Sequence, residues 1–447
     1  MPAIKERALK VRPVPAEQEF RQTPPVAGRD AVLPEWLGAD GNETPAHVKP
    51  QYDSVVVLGG GIGALSVAAR LARSPAFEGR VVIAGKPPEQ NRRLIGGLTL
   101  RARSLDYFAA CLGVPRQSIL ERLYDGREAE ARSNRQIAAR VSRAKDGSYE
   151  IGPTGEWMSR WDHNGRALAY GVRNSHLAGV LHDFSQSLAI TWSDAKPLSL
   201  GDCADLAPGK RPFVIKAEPM PLPGAGPMPS APARFVAAAQ LPFSDPHRVA
   251  KGVLQANTSI ALARRRAGSM DGSVFYPLRD PLSPTARYYG IFYRIVKGGG
   301  ALHKNAEIEI MKENLFGAAK AMGLDAVDPA ETLGTALIPC SDWRPINDLT
   351  PGFLDLNALA NNGSPIICGD GMLRAALASY AAAEALIAGV EPQAYLNRAM
   401  AKWKSRNRRI HYAMAPLSFF SDLMLRWSPG RSFHLLQDFG ETWAGLE

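Results

Sequence analysis

The period of the hydrophobic pattern changes twice between residues 54 and 85. "SVVVL" (54–58) is an unbroken apolar run, the stretch after "GGG" repeats its apolar positions every three to four residues through "GALSVAARLARS" (63–74), and "RVVIAG" (80–85) is unbroken again. A short continuous run bounded by turn residues predicts a strand covered on both faces, and the repeat between them predicts an amphipathic helix. Strand, glycine turn, helix and strand in that order predict the opening of a doubly wound parallel sheet. Two further helices are expected over 104–114 and 174–188, the second with Leu177, Val180, Leu181 and Phe184 along one buried face.

A proline-rich break at 218–233 is followed by a different pattern. "RFVAAAQLPF", "SVFYPLR" and "RYYGIFYRIV" are short segments rich in β-branched and aromatic residues, with "DPLSP" as turn chemistry between the last two, and they predict an antiparallel sheet. Alternation places Tyr289, Ile291 and Tyr293 on one face of a strand and Tyr288, Gly290 and Phe292 on the other. Residues 306–323 predict an amphipathic helix with Ile308, Met311, Leu315, Ala319 and Met322 on one side. "SPIICGDG" (364–371) predicts a buried strand and turn, followed by an alanine-rich helix and then a basic one.

Composition narrows the class. A chain of 447 residues with 45% hydrophobic and 21% charged positions fits a globular protein of more than one lobe. No apolar run approaches the ~18 residues of a membrane span. Cys111, Cys203, Cys340 and Cys368 are too dispersed for a disulfide scaffold or a zinc knuckle, so a reducing cytoplasm is expected. The N-terminal twenty residues carry charge where an export signal needs an apolar core. Eight scattered histidines suggest neither a metal cluster nor a Ser-His-Asp set, so no metal is expected and no catalytic residue is assigned.

The net charge of +10 fits an anionic cofactor, an acidic substrate, a membrane surface or nucleic acid. The densest basic run, "KWKSRNRRIH" (402–411), accompanies no nucleic-acid-binding motif, and a solvated helix face is the favoured reading, with no nucleic-acid partner. The apolar stretch 415–439, with Phe419, Phe420, Leu423 and Trp427, is read as packing on its own domain or on a second subunit in preference to a membrane contact. A monomer and a homodimer both remain open.

The glycine turn carries the chemistry. In G-x-G-x-x-G/A the first glycine makes the tight turn, the second lets the backbone approach a pyrophosphate, and the third position packs helix on strand. Gly59, Gly61 and Ala64 fill these places, with Gly60 and Gly63 beside them. The acidic residue that normally meets the ribose about 20 positions on is missing: Gly85 stands in that slot. Lys86 follows it, favouring a 2′-phosphate or meeting an adenosine through solvent, and Glu89 is close enough in sequence to substitute.

With these residues in place the chain resembles the flavin-binding fold of para-hydroxybenzoate-hydroxylase-type monooxygenases, flavin-dependent halogenases and geranylgeranyl-reductase-like enzymes. "VVVLGGGIGALSVAARLA", "IGGLTLRARSLDYFAACLGV", "YGVRNSHLAGVLHDF", "PFVIKAEP" and "IICGDG" follow the family's order over about residues 54–412. The resemblance implies an α/β fold: a Rossmann-like FAD-binding domain (51–217 and 331–412) with an inserted antiparallel-sheet substrate domain (218–330) and C-terminal helices. A proline-rich extension (1–50) would precede it and a docking segment (413–447) would follow.

It also implies that FAD is held by Gly59, Gly60, Gly61, Gly63, Ala64, Lys86, Arg101, Arg103, Gly369, Asp370 and Gly371, with Asp370 on the ribityl chain. The implied activity is a cytoplasmic monooxygenase of secondary metabolism that hydroxylates or epoxidises a hydrophobic or aromatic small molecule through oxygen added at flavin C4a. NAD(P)H or a separate flavin reductase would supply electrons, and Tyr276, Tyr289 and Tyr293 would line the substrate pocket. The alternatives are a reductase or dehydrogenase of a prenyl-like substrate, a halogenase, and a cofactor-free binding protein.

Four departures bear on the choice. Asn174 stands where the family's Arg-x-x-Leu helix has arginine, with Arg173 one place earlier. Glu218-Pro219 replaces Asp-Gly, and no Pro-x-x-Gly-x-Gly loop follows Gly369-Asp370. The halogenase Trp-x-Trp-x-Ile-Pro motif is absent, and "SDWRPIND" (341–348) is no substitute.

Overall fold

The computed structural model describes residues 52–91, 97–124, 135–143, 149–151, 155–157, 162–163, 166–167, 169–197, 199–207, 209, 211–218, 222–223, 234–244, 258–266, 269–277, 288–297, 304–321, 324–327, 334–340, 350–361 and 371–399. The N-terminal extension, the "SPIICGD" segment, the basic run and the C-terminal apolar stretch lie outside them.

In chain order the elements are β1 (Ser54–Leu58), α1 (Ile62–Arg73), β2 (Arg80–Ala84), β3 (Gly97–Arg101), α2 (Ala102–Leu112), α3 (Arg116–Leu123), β4 (Arg135–Arg143), β5 (Tyr149–Ile151) and β6 (Gly155–Trp157). There follow β7 (Asp162–His163), β8 (Arg166–Ala167), β9 (Ala169–Arg173), α4 (Asn174–Ser185), β10 (Ile190–Ser193), α5 (Leu200–Leu206), β11 (Pro212–Lys216), β12 (Arg234–Ser244), β13 (Thr258–Arg266), β14 (Ser269–Pro277) and β15 (Tyr288–Lys297). The last are α6 (Lys304–Ala321), β16 (Asp325–Ala326), β17 (Gly334–Cys340), β18 (Phe353–Asp355), α7 (Leu356–Asn361), α8 (Gly371–Ile387) and α9 (Pro392–Ala399).

The central sheet is parallel, in the order β10-β2-β1-β11-β18. Its strands alternate between two cores, as the unbroken apolar runs require. Val55, Val57, Val81, Ile83, Phe213 and Ile215 face the core shared with α1, α2, α4 and α8, while Val56, Leu58, Val82, Ala84 and Val214 face Cys203 and Ala207. On that second side α5 is opened by a capping box, with Ser199 Oγ accepting from Asp202 N and Asp202 returning the bond to the Ser199 amide.

The predicted α4 face is realised: Leu177, Val180 and Leu181 are buried, and Phe184 packs at the edge of the core. On α6, Met311, Leu315 and Ala319 are buried as the periodicity requires. The side chains of Ile308 and Met322 lie outside the description.

The second large sheet runs β16-β12-β15-β14-β13-β4-β5, with β17 also on β12 and β6 on β4. The β12, β13, β14 and β15 strands are antiparallel to their partners in this group, whereas β4 joins β13 in parallel. The sheet thus draws on β4, β5, β6 and β17, from outside the 218–330 segment. Short apolar spans such as "RQIAARVSR" carry no periodicity that tells which sheet they join.

On the face bearing Phe243, Phe275 and Phe292, all buried, α6 packs through Phe316 at 6.3 Å from Phe243. Gly290 leaves room for this packing: a Cβ there would lie 2.5 Å from Phe243 Cε2 and 2.8 Å from Phe275 Cε1.

Gly290→Ala therefore overpacks the sheet. The expected cost is about 1–3 kcal/mol, or a fall in Tm of roughly 2–4 °C per kcal/mol, read by thermal unfolding.

Candidate functional site

The chain turns at Gly59, whose φ of +108° suits glycine alone, and its amide donates to the Ala84 carbonyl at 2.9 Å. Gly60 lies against the next strand's exit, where a Cβ would collide with the Lys86 carbonyl oxygen and come within 3.5 Å of the Trp192 ring. Gly61 forms the N-cap of α1 without a side-chain cap, and the first helical bond runs from the Leu65 amide to the Gly61 carbonyl at 3.0 Å. The amides of Ile62, Gly63 and Ala64 therefore have no acceptor inside the helix. No acidic residue occupies the first turn of α1, so its positive end is not neutralised from within.

Three helices point these ends the same way. Ser379 Oγ donates to the Gly63 carbonyl at 3.3 Å, and Arg70 Nε bonds Glu384 at 2.5 Å, so α8 runs parallel to α1. Tyr107 packs on Tyr380 with ring centroids 5.9 Å apart, and Arg73 Nη1 donates to the Ala110 carbonyl at 3.2 Å, which aligns α2 with both. Gly371 precedes Ser379 by eight residues. At 1.5 Å per residue the start of α8 stands about 12 Å beyond the level of Gly63, outside the carboxyl edge of the sheet.

Two buried polar residues lie along this overhang. Ser104, in the first turn of α2, is 0% exposed, and its Oγ has no hydrogen-bond partner among the described residues. Arg374, in the first turn of α8, is also 0% exposed and puts a permanent cation in the interior. Neither was singled out from the sequence. The only available signal was an arginine interrupting the otherwise apolar start of "GMLRAALASYAAAEALI".

The other sequence-derived positions distribute as follows. Gly63 packs 3.5 Å, measured from a built Cβ, from Ser379 Oγ, and Ala64 is fully buried, so both bring helix against helix. The Lys86 side chain is exposed. Arg101 ends β3 and Arg103 is the second residue of α2, with side chains outside the description. Gly369 and Asp370 fall outside the described residues. Gly371 begins α8, and a Cβ there would meet no atom of the described residues within 4 Å.

Glu218, in place of the family's Asp-Gly aspartate, stands beside the glycine turn: a Cβ on Gly59 would lie 3.1 Å from Glu218 Cβ. Arg173 ends β9 and is the N-cap of α4, with Asn174 the first helical residue.

Tyr276 stands directly opposite Tyr289 in the β14–β15 register. Tyr293, four residues along β15, shares that register parity, so all three positions belong to the sheet face opposite the one α6 covers. Tyr289 is 2% exposed. Burial pushes the Cys111 thiol up to about 12, and burial followed by the Asp202 charge pushes Cys203 up to about 11, so neither is a thiolate nucleophile near neutral pH. His176 Nε2 bonds the Leu123 carbonyl at 3.0 Å. No described helix is long and apolar enough to cross a membrane.

At the carboxyl edge, Lys216 and Asp355 are register partners on β11 and β18, with Nζ 2.5 Å from Oδ2, and Asp355 Oδ1 accepts from the Ala358 amide at 2.8 Å. This nearly buried pair ties the strand beside β1 to the start of α7.

No family model and no curated protein matches the sequence. Among solved structures the chain is similar to the tetracycline destructase Tet(51), at 12% identity and a TM-score of 0.46 over 88% of this chain and 98% of that one. It is similar to FqzB at 12% identity and 0.49 over 86% and 90%. It is also similar to a tryptophan 6-halogenase, SttH, from Streptomyces toxytricini at 12% and 0.48 over 80% and 78%. At these values the likeness carries no argument about chemistry, which rests on this chain's own residues.

Asp355→Ala is expected to cost about 3 kcal/mol, because it strands the Lys216 ammonium and removes a helix cap. The pair Lys216→Met with Asp355→Ala should be less destabilised than Asp355→Ala alone, a difference read by urea denaturation of the three variants.

Proposed function

We propose that this chain is an FAD-dependent oxidoreductase, acting as a monooxygenase on a hydrophobic or aromatic small molecule. The observation that supports it is the common direction of the α1, α2 and α8 N-termini, with α8 starting about 12 Å beyond the glycine turn. An elongated anion with its charge near the middle and a neutral ring system at one end suits that arrangement. The diphosphate takes the uncapped amides at Gly61 to Ala64, and the ring lies toward Gly371.

The residues fit such a group. Gly61 and Gly63 are partly exposed at the mouth of α1, and among the described residues Ser104 Oγ has no hydrogen-bond partner and no atom lies within 4 Å of a Cβ built on Gly371. In this reading the amides of Ile62, Gly63 and Ala64 donate to the diphosphate oxygens, and Arg101, Arg103 and Arg374 add cationic field. Ser104 Oγ donates into the same crevice, and Asp370 accepts from ribityl hydroxyls. Lys86 meets the adenosine side through solvent. The bound flavin supplies the oxygen chemistry. The protein's part is to orient a substrate and exclude water, for which the face carrying Tyr276, Tyr289 and Tyr293 provides an apolar wall with hydroxyls. NAD(P)H or a separate flavin reductase delivers the electrons.

Purified protein reconstituted with FAD should show the absorption bands of bound oxidised flavin. With a substrate it should consume NAD(P)H and oxygen together, whereas NAD(P)H consumption without oxygen uptake marks a reductase and halide-dependent product marks a halogenase. Gly60→Ala, which drives a methyl into the Lys86 carbonyl, should weaken FAD binding at least tenfold, by flavin-fluorescence titration, while far-UV circular dichroism stays native. Failure of the wild-type protein to bind FAD contradicts the proposal.

A further inference from the structure

The missing ribose carboxylate has a structural substitute. After β2 the chain passes Gly85 and Lys86, whose carbonyl lies on Gly60, and enters a short turn at Pro88–Gln90. Glu89 in that turn meets α4: its Oε1 is 3.0 Å from His182 Nδ1. A carboxylate only accepts, so the imidazole Nδ1 carries the hydrogen and donates it. The His182 ring in turn stands edge-on to Trp192, with centroids 5.1 Å apart, and Trp192 is the same ring that would lie 3.5 Å from a Cβ on Gly60. Gly60, Trp192, His182 and Glu89 thus form an unbroken line from the glycine turn across β2 and β10.

The two partners are unequally exposed. His182 keeps 15% of its side chain accessible and Glu89 keeps 59%, so the imidazole is held and the carboxylate faces out from it with acceptor capacity to spare. This pair sits on the side of the glycine turn away from β11 and α8, where the nucleoside half of a dinucleotide extends when its other half runs toward Gly371.

We propose that Glu89, positioned by His182, receives the adenosine ribose hydroxyls of the bound dinucleotide, and that its negative charge excludes a 2′-phosphate on that ribose. The inference rests on the flavin reading and adds the residue that separates FAD from FMN. Gly85 stands where the carboxylate usually is because a Cβ there would come within 2.9 Å of the Gly59 carbonyl carbon and the Gly60 amide nitrogen. The close approach of β2 to the glycine turn excludes any side chain at that place. The carboxylate is displaced four residues along, onto a turn that α4 can hold.

The test is a comparison of flavins on the full-length apoprotein. FAD and FMN are titrated by fluorescence into the wild type, Glu89→Gln and His182→Gln, with ADP-ribose and its 2′-phosphorylated form as competitors. The expected result is a loss of about tenfold or more in FAD affinity for Glu89→Gln, the scale of hydrogen bonds to a charged acceptor, and a smaller loss for His182→Gln, with FMN affinity unchanged in both. ADP-ribose should compete with FAD in the wild type and its 2′-phosphorylated form should not. If Glu89→Gln keeps the wild-type ratio of FAD to FMN affinity, or loses both equally, this assignment is overturned while the flavin reading stands. If the wild type binds neither flavin, both fall.

Discussion

Peptide N–H groups at the start of a helix need an acceptor, and this fold points three such starts the same way. Parallel helices with their positive ends together repel one another weakly, so something must hold them in register. Small residues do part of this: Ala64, Ala68, Ala378, Ala381 and Ala382 are fully buried, which lets α1 and α8 approach closely. The rest falls to polar contacts at both ends, Ser379 with Gly63 near the crevice and Arg70 with Glu384 at the far end. Tyr107 against Tyr380 adds α2 to the group. In the proposed function an anion in the crevice relieves the repulsion that remains.

The electrostatics at the carboxyl edge are graded. On one side of the glycine turn lie the amides of α1, the buried Arg374 and the orphaned Ser104 hydroxyl. Glu218, just after β11, lies close to Gly59 on one flank, and Glu89, after β2 and bound by His182, lies on the opposite flank. In the proposed reading the diphosphate meets the amides of α1 and the adenosine ribose meets Glu89. The second sheet is built on different terms. Its Phe243–Phe275–Phe316 cluster is closed by Gly290, and Tyr289 is buried on the opposite face.

The parallel half was legible because each of its devices is local. Unbroken apolar runs marked β1 and β2, the glycine run marked the turn, and the 3.6-residue period marked α1 and α4. What escaped the sequence was non-local. The β4 strand joins the distant β13 by a register that its own residues do not signal. Arg374 and Ser104 gain their meaning from helix alignment, which depends on contacts such as Ser379 to Gly63, 316 residues apart in the chain. Glu89 was within sight as a substitute acid. Its partner His182, 93 residues away, could not be paired with it from spacing. Gly85 read as a missing acid, and the structure gives the steric reason for it.

The most direct measurement is a crystal structure of the protein with FAD bound. The account predicts diphosphate oxygens within hydrogen-bond reach of the amides between Gly61 and Ala64, with the isoalloxazine beyond Gly371 and the adenosine on the Glu89 side. A diphosphate held elsewhere, or a flavin running in the opposite direction along the crevice, would contradict it.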